Sequence, residues 1–232
     1  MAGLKKDISI QDIPQPYNSI IKQNFKIISN VTDESLSRYF EGCFNDVYRM
    51  VGLYKTWVCV ACLSVGKHSF GWGDKPDSCP VCEKTVYEVG TFQARASYVG
   101  NVFDYACQYL LNEKYDIDTN PTAESTRLYD FEIRNDIVVE SKGSPKYVIN
   151  PDGTRSSLDR AGLLRSDTEK KAFANATKWR RLFPNGTFFI ITNALPNHLR
   201  AYRNDKVTAI YDITKKSQLD CFVSELRTMA GL

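Results

Sequence analysis

Two Cys-x-x-Cys pairs, Cys59-Val-Ala-Cys62 and Cys79-Pro-Val-Cys82, constrain this chain more than any other feature of its sequence. Sixteen residues separate them, which lies inside the spacing at which two such turns present four thiolates to one tetrahedral zinc ion. A shell closed by four sulfurs leaves no position for water or substrate. Cys59, Cys62, Cys79 and Cys82 are therefore expected to hold a structural Zn2+ that ties together a glycine- and proline-containing segment. His68 stands between the pairs and could replace one ligand, but four cysteines suffice without it. Seven cysteines is an odd number, and with paired spacing it points to metal binding in a reducing compartment, not to a disulfide framework. Cys43, Cys107 and Cys221 fall in apolar helical patterns and read as small buried hydrophobes.

The rest of the chain has to supply the main core. With 232 residues, 43% of them hydrophobic and 25% charged, one sizeable domain with a small appended module is expected. No run approaches the length of a membrane span, and the opening residues lack the apolar stretch of a secretory signal, so a cytoplasmic protein without a membrane partner is expected. A net charge of +3 does not by itself imply nucleic acid; only the distribution of charge can inform.

Apolar periodicity marks the elements. Leu36, Phe40, Cys43, Val47, Met50 and Val51 make one helical stripe between Thr32 and about Tyr54, and Val99 to Leu111 make a second that ends near Asn112. The residues before Thr32 show no clear period and could be an arm or a partner-contacting segment. Arg127 to Ile133 and Ile137 to Lys142 are short apolar stretches around a polar turn, a hairpin signal. Gly143 to Arg165, rich in Gly, Pro, Ser and Arg, reads as a long loop of the kind that is usually functional or mobile. Ser166-Asp-Thr-Glu169 reads as a capping box opening a helix that Pro184 and Gly186 stop. Phe188 to Thr192 reads as a central strand covered on both faces, Val207 to Tyr211 as another strand, and Ser217 to Met229 as a closing helix. The pattern predicts an α/β fold with a mixed sheet flanked by helices. It divides into an N-terminal arm and helix over 1–56, a metal-tied module over 57–90 and a core over 91–232.

The hairpin carries the chemistry. Side chains alternate along a strand, so Leu128, Asp130 and Glu132 share one face, and Val138, Glu140 and Lys142 share one face of the next strand. A two-residue loop would put Asp130 and Glu140 on opposite sides of the sheet. A three-residue loop, Arg134-Asn135-Asp136, pairs them directly, and Asn and Asp tolerate the left-handed conformation that such loops often need. Two carboxylates directly opposed destabilise a sheet unless a cation compensates them. Carboxylate oxygens with water and phosphate make a Mg2+ site, at which water can be activated and charge on a phosphoryl group neutralised. Lys142, two residues beyond Glu140, could hold that water or a phosphate oxygen. A second Glu-x-Lys triplet, Glu169-Lys-Lys171, opens a helix and is explained by capping and solvation.

From about Tyr98 to Thr192 the chain resembles the PD-(D/E)XK nuclease superfamily, most of all its restriction-endonuclease-like branch. The order is a helix, the Asp130 strand, Ile137-Val-Val-Glu-Ser-Lys142, and a helix feeding the Phe188 strand. Tyr129 stands where the family name expects proline. The resemblance implies that Asp130 and Glu140 bind Mg2+, that the Ser141 carbonyl completes the shell, and that Lys142 assists the water. Many members add an acid from the preceding helix, and Glu113 and Glu124 are both candidates. The cysteine segment resembles a zinc ribbon. The expected function is a magnesium-dependent endonuclease acting on double-stranded DNA, of the Type II site-specific kind. A repair or junction-resolving nuclease is one alternative, and a non-enzymatic zinc-ribbon binder of nucleic acid is another.

Basic residues cluster after the catalytic strands. Arg160, Arg165, Lys171, Asn175, Lys178 and Arg181 are the candidate DNA contacts; positions 171, 175 and 178 share one helical face opposite Trp179 and Phe183. Cutting a palindrome would favour a homodimer with one active site per strand.

Overall fold

The computed structural model describes residues 13–52, 56–65, 70–72, 75–88, 92–122, 128–149, 153–158 and 160–232. His68 and Glu124 lie outside the described residues. The chain is an α/β protein whose centre is a five-stranded mixed sheet. The sheet strands are β4 (Asn120–Pro121), β5 (Phe131–Arg134), β6 (Ile137–Lys142), β9 (Thr187–Thr192) and β10 (Ala209–Asp212), in the spatial order β10-β9-β6-β5-β4. β6, β9 and β10 run parallel, while β5 and β4 are antiparallel additions at one edge. Pro121 belongs on that edge, because proline cannot donate to a ladder on both sides.

Both faces of β6 and β9 are covered, which is why these strands are apolar without alternation. Ile137, Val139, Phe189 and Ile191 point into a large core shared with helices α1 (Tyr17–Phe25), α2 (Asp33–Gly52), α4 (Phe92–Tyr115) and α6 (Lys216–Ala230). Val138, Phe188 and Ile190 point the other way, onto Ala172, Ala176 and Trp179 of α5 (Ser166–Leu182). Parity along β6 thus sends Glu140 and Lys142 to the α5 side and Ser141 to the α4 side. Among the described residues no helix is long and apolar enough to cross a membrane.

Several local expectations change. α1 occupies part of the segment read as an arm or partner contact, and its own Ile21 is fully buried. α5 begins at Ser166 with Arg165 at the N-cap position and no side-chain cap. The Glu169 carboxylate turns to His198 (3.2 Å) instead of closing a capping box. Within the long loop, β7 (Tyr147–Ile149) and β8 (Arg155–Ser157) form an antiparallel ribbon, followed by a 3-10 turn at Gly162–Leu164. Cys43 and Cys107 are buried, but Cys221 is exposed on α6.

Gly143, directly after Lys142, brings the end of β6 against α4: a Cβ there would lie 2.2 Å from the Phe103 ring. That is far inside contact distance, and Phe103 is itself fully buried, so the ring has no room to yield. Gly143→Ala is expected to cost about 1–3 kcal/mol through overpacking. A urea titration showing an unchanged midpoint would contradict this packing.

The cysteine module consists of β1 (Thr56–Val58), β2 (Phe70–Trp72), β3 (Tyr87–Glu88) and a single helical turn α3 (Val60–Leu63), with the three strands ordered β2-β1-β3. Its only buried cluster among the described residues is Cys59, Cys62, Cys79 and Val86, with Trp57, Ala61 and Cys82 packed against it.

Candidate active site and cysteine cluster

The turn between β5 and β6 has two residues, Asn135 and Asp136, because Arg134 pairs with Ile137. By parity alone this would have separated Asp130 from Glu140. The register then slips by one at Ile133, so that Glu132 faces Val138 and Phe131 faces Val139. The ladder ends at Phe131 and Val139, and that register carried one residue further sets Asp130 opposite Glu140. A two-residue turn plus one extra residue in β5 gives the same alignment as the expected three-residue loop, and the extra residue lets Phe131 and Ile133 both enter the core. Asp130 is held just past the strand by its own N–H to Val139 O (3.0 Å) and by Thr122 N–H to its carbonyl (3.1 Å).

The carboxylates and the ammonium converge. Lys142 Nζ lies 2.6 Å from Glu140 Oε1, 3.4 Å from Asp130 Oδ2 and 2.9 Å from the Ser141 carbonyl oxygen. Asp130 Oδ2 also accepts the Ser141 N–H (2.7 Å) and Oγ–H (3.2 Å). Glu140 is 1% exposed, and Asn175 from α5 donates to its Oε1 at 3.0 Å. Burial and the facing Asp130 charge push Glu140 up to about 7, against the opposing pull of Lys142 and Asn175. Burial alone would lower Lys142, but Asp130 and Glu140 outweigh it and hold the ammonium above its usual range. Behind the site Thr192, fully buried, donates to the Lys142 carbonyl at 2.7 Å, and Asn193 bridges both backbone groups of Ser144.

The site opens into a cleft of about 470 Å³. Asp130, Ser141, Lys142, Arg165 and Lys171 line it, as does Asp104 from α4. Asp104 was not among the acids expected from that helix. Glu113 lies on the same helix but is exposed and outside the cleft lining. The signal for Asp104 was present in the sequence: Ser97, Gly100, Asn101, Asp104 and Gln108 form a polar stripe at helical spacing along an otherwise buried helix. Asp104 accepts from Gln108 at 3.3 Å.

The candidate DNA contacts separate. Lys171 and Arg165 face the cleft, and Arg165 forms a forked pair with Asp167 (2.9 and 3.2 Å). Asn175 faces the site but is bonded to Glu140, which gives it a role in orienting that carboxylate. Arg160, Lys178 and Arg181 are exposed and do not line the cleft.

In the module the four thiols meet as their spacing predicts. All four sulfurs lie within 4.8 Å of one another, with Cys59 to Cys82 at 3.5 Å and Cys62 to Cys79 at 3.7 Å. These separations are far longer than a disulfide bond of about 2.05 Å. They agree with about 3.8 Å, the edge of a tetrahedron whose centre is about 2.3 Å from each sulfur. The Val81 N–H points at Cys79 Sγ (3.4 Å), and Glu83 takes a left-handed φ of 59° that lets its N–H return to the Cys79 carbonyl (2.8 Å). The donor set and geometry suit a structural zinc site. Without a cation, the Cys82 sulfur and burial push the Cys62 thiol up to about 12. Burial opposes ionisation of Cys79 too, but the N–H groups of Val81 and Cys82 bring it down to about 7.

No protein-family model, curated protein or solved structure matches this chain.

Proposed function

We propose that the chain is a magnesium-dependent endonuclease that hydrolyses phosphodiester bonds in double-stranded DNA, with Asp130, Glu140 and Lys142 as its catalytic core. One observation carries the reading. The Lys142 ammonium touches Asp130 Oδ2, Glu140 Oε1 and the Ser141 carbonyl, the same oxygens that the resemblance to PD-(D/E)XK nucleases assigns to Mg2+. A cation already stands among them, so the donor set suits one. The two carboxylates and the Ser141 carbonyl would hold Mg2+, and Asp104 lines the same cleft. A bound Mg2+ would supply an activated water and charge neutralisation at phosphorus. With Mg2+ among those oxygens, Lys142 would be free to hold the attacking water or a phosphate oxygen. Asn175 keeps the Glu140 carboxylate oriented, and Arg165 and Lys171 at the cleft rim suit the phosphate backbone. The zinc module and the ribbon inserted after Lys142 favour a site-specific enzyme, acting as a homodimer on a palindrome, over a general repair nuclease.

The test is incubation of long duplex DNA with purified protein, with magnesium added or omitted, beside Lys142→Ala. Magnesium is omitted and not chelated, because a chelator would also attack the cysteine cluster. Discrete fragments that need magnesium and that fall at least 100-fold in the variant are expected. Cutting only of branched substrates would transfer the reading to a junction-resolving nuclease. Binding without cutting of either substrate would leave a zinc-ribbon binder.

A further inference from the structure

The β7–β8 ribbon is not part of the central sheet, yet it is firmly placed. Its outer edge is satisfied by side chains of α2. Buried Glu41 accepts the Lys146 N–H through both oxygens (3.0 and 3.3 Å), and buried Asn45 accepts the Ile149 N–H (2.9 Å). Glu41 and Asn45 are four residues apart and so lie on one face of α2, which acts toward the ribbon as a neighbouring strand would. At the ribbon's base, Ser144 is bridged by Asn193 and accepts the Gly162 N–H on its Oγ (2.8 Å). Both ends of the inserted segment are thereby pinned beside the cleft, whose lining includes Gly143, Ser144 and Gly162.

Between the ribbon and α2 runs a groove of about 380 Å³. Arg38, Arg49 and Arg155 all line it. Arg155 stacks on the Tyr147 ring, with its guanidinium carbon 4.6 Å from the ring centre. The two acids of the lining are already engaged: Glu41 by the Lys146 N–H, and Asp46 by Asn24 (2.8 Å) and Arg49 (3.3 Å). Arg38 has an exposed partner in Glu34 one turn earlier (3.8 Å), a pair that solvent screens and a phosphate can displace, so what the groove offers toward solvent is guanidinium, the group best matched to phosphate. Gly143 lines the cleft and Tyr147 lines the groove. Tyr147 is five residues beyond Lys142, a stretch that spans at most about 18 Å, and a duplex rises about 3.4 Å per base pair, so the near wall of the groove lies within about five base pairs of whatever phosphate sits at Lys142.

We infer that the α2 and β7–β8 groove is a second contact surface for duplex DNA, gripping the backbone that flanks the cleft through Arg155 and Arg38. This rests on the nuclease reading for the identity of the partner. The surface contributes sequence-independent affinity and fixes how the duplex lies across the cleft, a role distinct from that of Arg165 and Lys171 at its rim.

The experiment is fluorescence anisotropy of the full chain with a labelled 30-base-pair duplex, in magnesium-free buffer without chelator, over a series of salt concentrations. Each lost phosphate contact lowers the slope of log affinity against log salt by about one. Arg155→Gln, which keeps a long side chain over Tyr147, is expected to lower the slope by about one, and the double variant with Arg38→Gln by about two. Lys206→Ala, at a lysine lining neither cleft nor groove, should leave it unchanged. Slopes for both arginine variants equal to that of the unmodified protein overturn the inference. The nuclease reading fails separately, if cleavage is absent or indifferent to Lys142→Ala while the slopes still fall. An unmodified protein that binds no duplex overturns both.

Discussion

Glu140→Gln is expected to abolish magnesium-dependent cleavage and at the same time to stabilise the metal-free protein at alkaline pH. The first effect follows from losing one of two carboxylates that hold the cation. Metal-borne charge stabilisation is worth several kcal/mol, so the rate should fall by about a thousandfold or more. The second follows from the sign of the Glu140 shift. Its folded value is raised from 4.5 to about 7, so the folded state holds this proton more tightly than the unfolded chain does. The resulting stability is fully present below about 4.5, declines as pH rises, and is gone once pH has passed through about 7. Above that, the protein carries a buried carboxylate facing Asp130, and Lys142 and Asn175 offset that cost incompletely. Glutamine keeps an oxygen for Asn175 and removes the charge. In magnesium-free buffer the variant and the unmodified protein should melt close together at pH 5, with the variant several degrees higher at pH 8. Magnesium should raise the melting temperature of the unmodified protein more at pH 8 than at pH 5, and should do little for the variant. A variant that melts lower at pH 8 would mean that the Lys142 ion pair outweighs the desolvation and repulsion at this site.

The largest effect on structure is expected at the cysteine cluster. Cys62→Ser should remove one tightly bound zinc per chain, read by native mass spectrometry, and open residues 57–88 to protease while the central sheet stays protected. Among the described residues, the module's buried cluster is limited to the four cysteines, Val86 and the edges of Trp57 and Ala61. Binding by a closed thiolate site contributes on the order of 10 kcal/mol to folding, far more than so small a cluster can supply by burial. Four thiolates this close would repel one another without a cation between them. Cys221→Ser, at an exposed cysteine outside the cluster, is the control and should change neither reading. Retention of zinc and of protease resistance by Cys62→Ser would show that the cluster does not organise the module.

Much of the molecule could be read in one dimension because its signals are local. β6 matches the expected Ile137 to Lys142 stretch, β9 differs from its reading by one residue, and α2 and α6 lie within two or three residues of their stripes. Other features were invisible for a physical reason. β7 and β8 are three residues each, too short for a period, and their edge is completed by Glu41 and Asn45, about a hundred positions earlier. Asn175 was read as a surface contact because helical spacing gives its face but not what that face meets. The capping box at Ser166 was a correct local pattern overridden by the Glu169 contact with His198.

The sequence by itself determined the four sulfur ligands, the identity of the central strands, and the alternation that puts Glu140 and Lys142 on one face. Those follow from fixed spacings along a single turn or strand. The convergence of Asp130 with them was decided only in three dimensions. Parity with the two-residue turn would have sent Asp130 to the wrong side, and the slip at Ile133 restores it because both Phe131 and Ile133 gain by entering the core. Tertiary packing likewise brought Asp104 of α4 and Asn175 of α5 to opposite sides of β6. A helix period fixes which residues share a face, but only the closed core fixes which strand end that face meets.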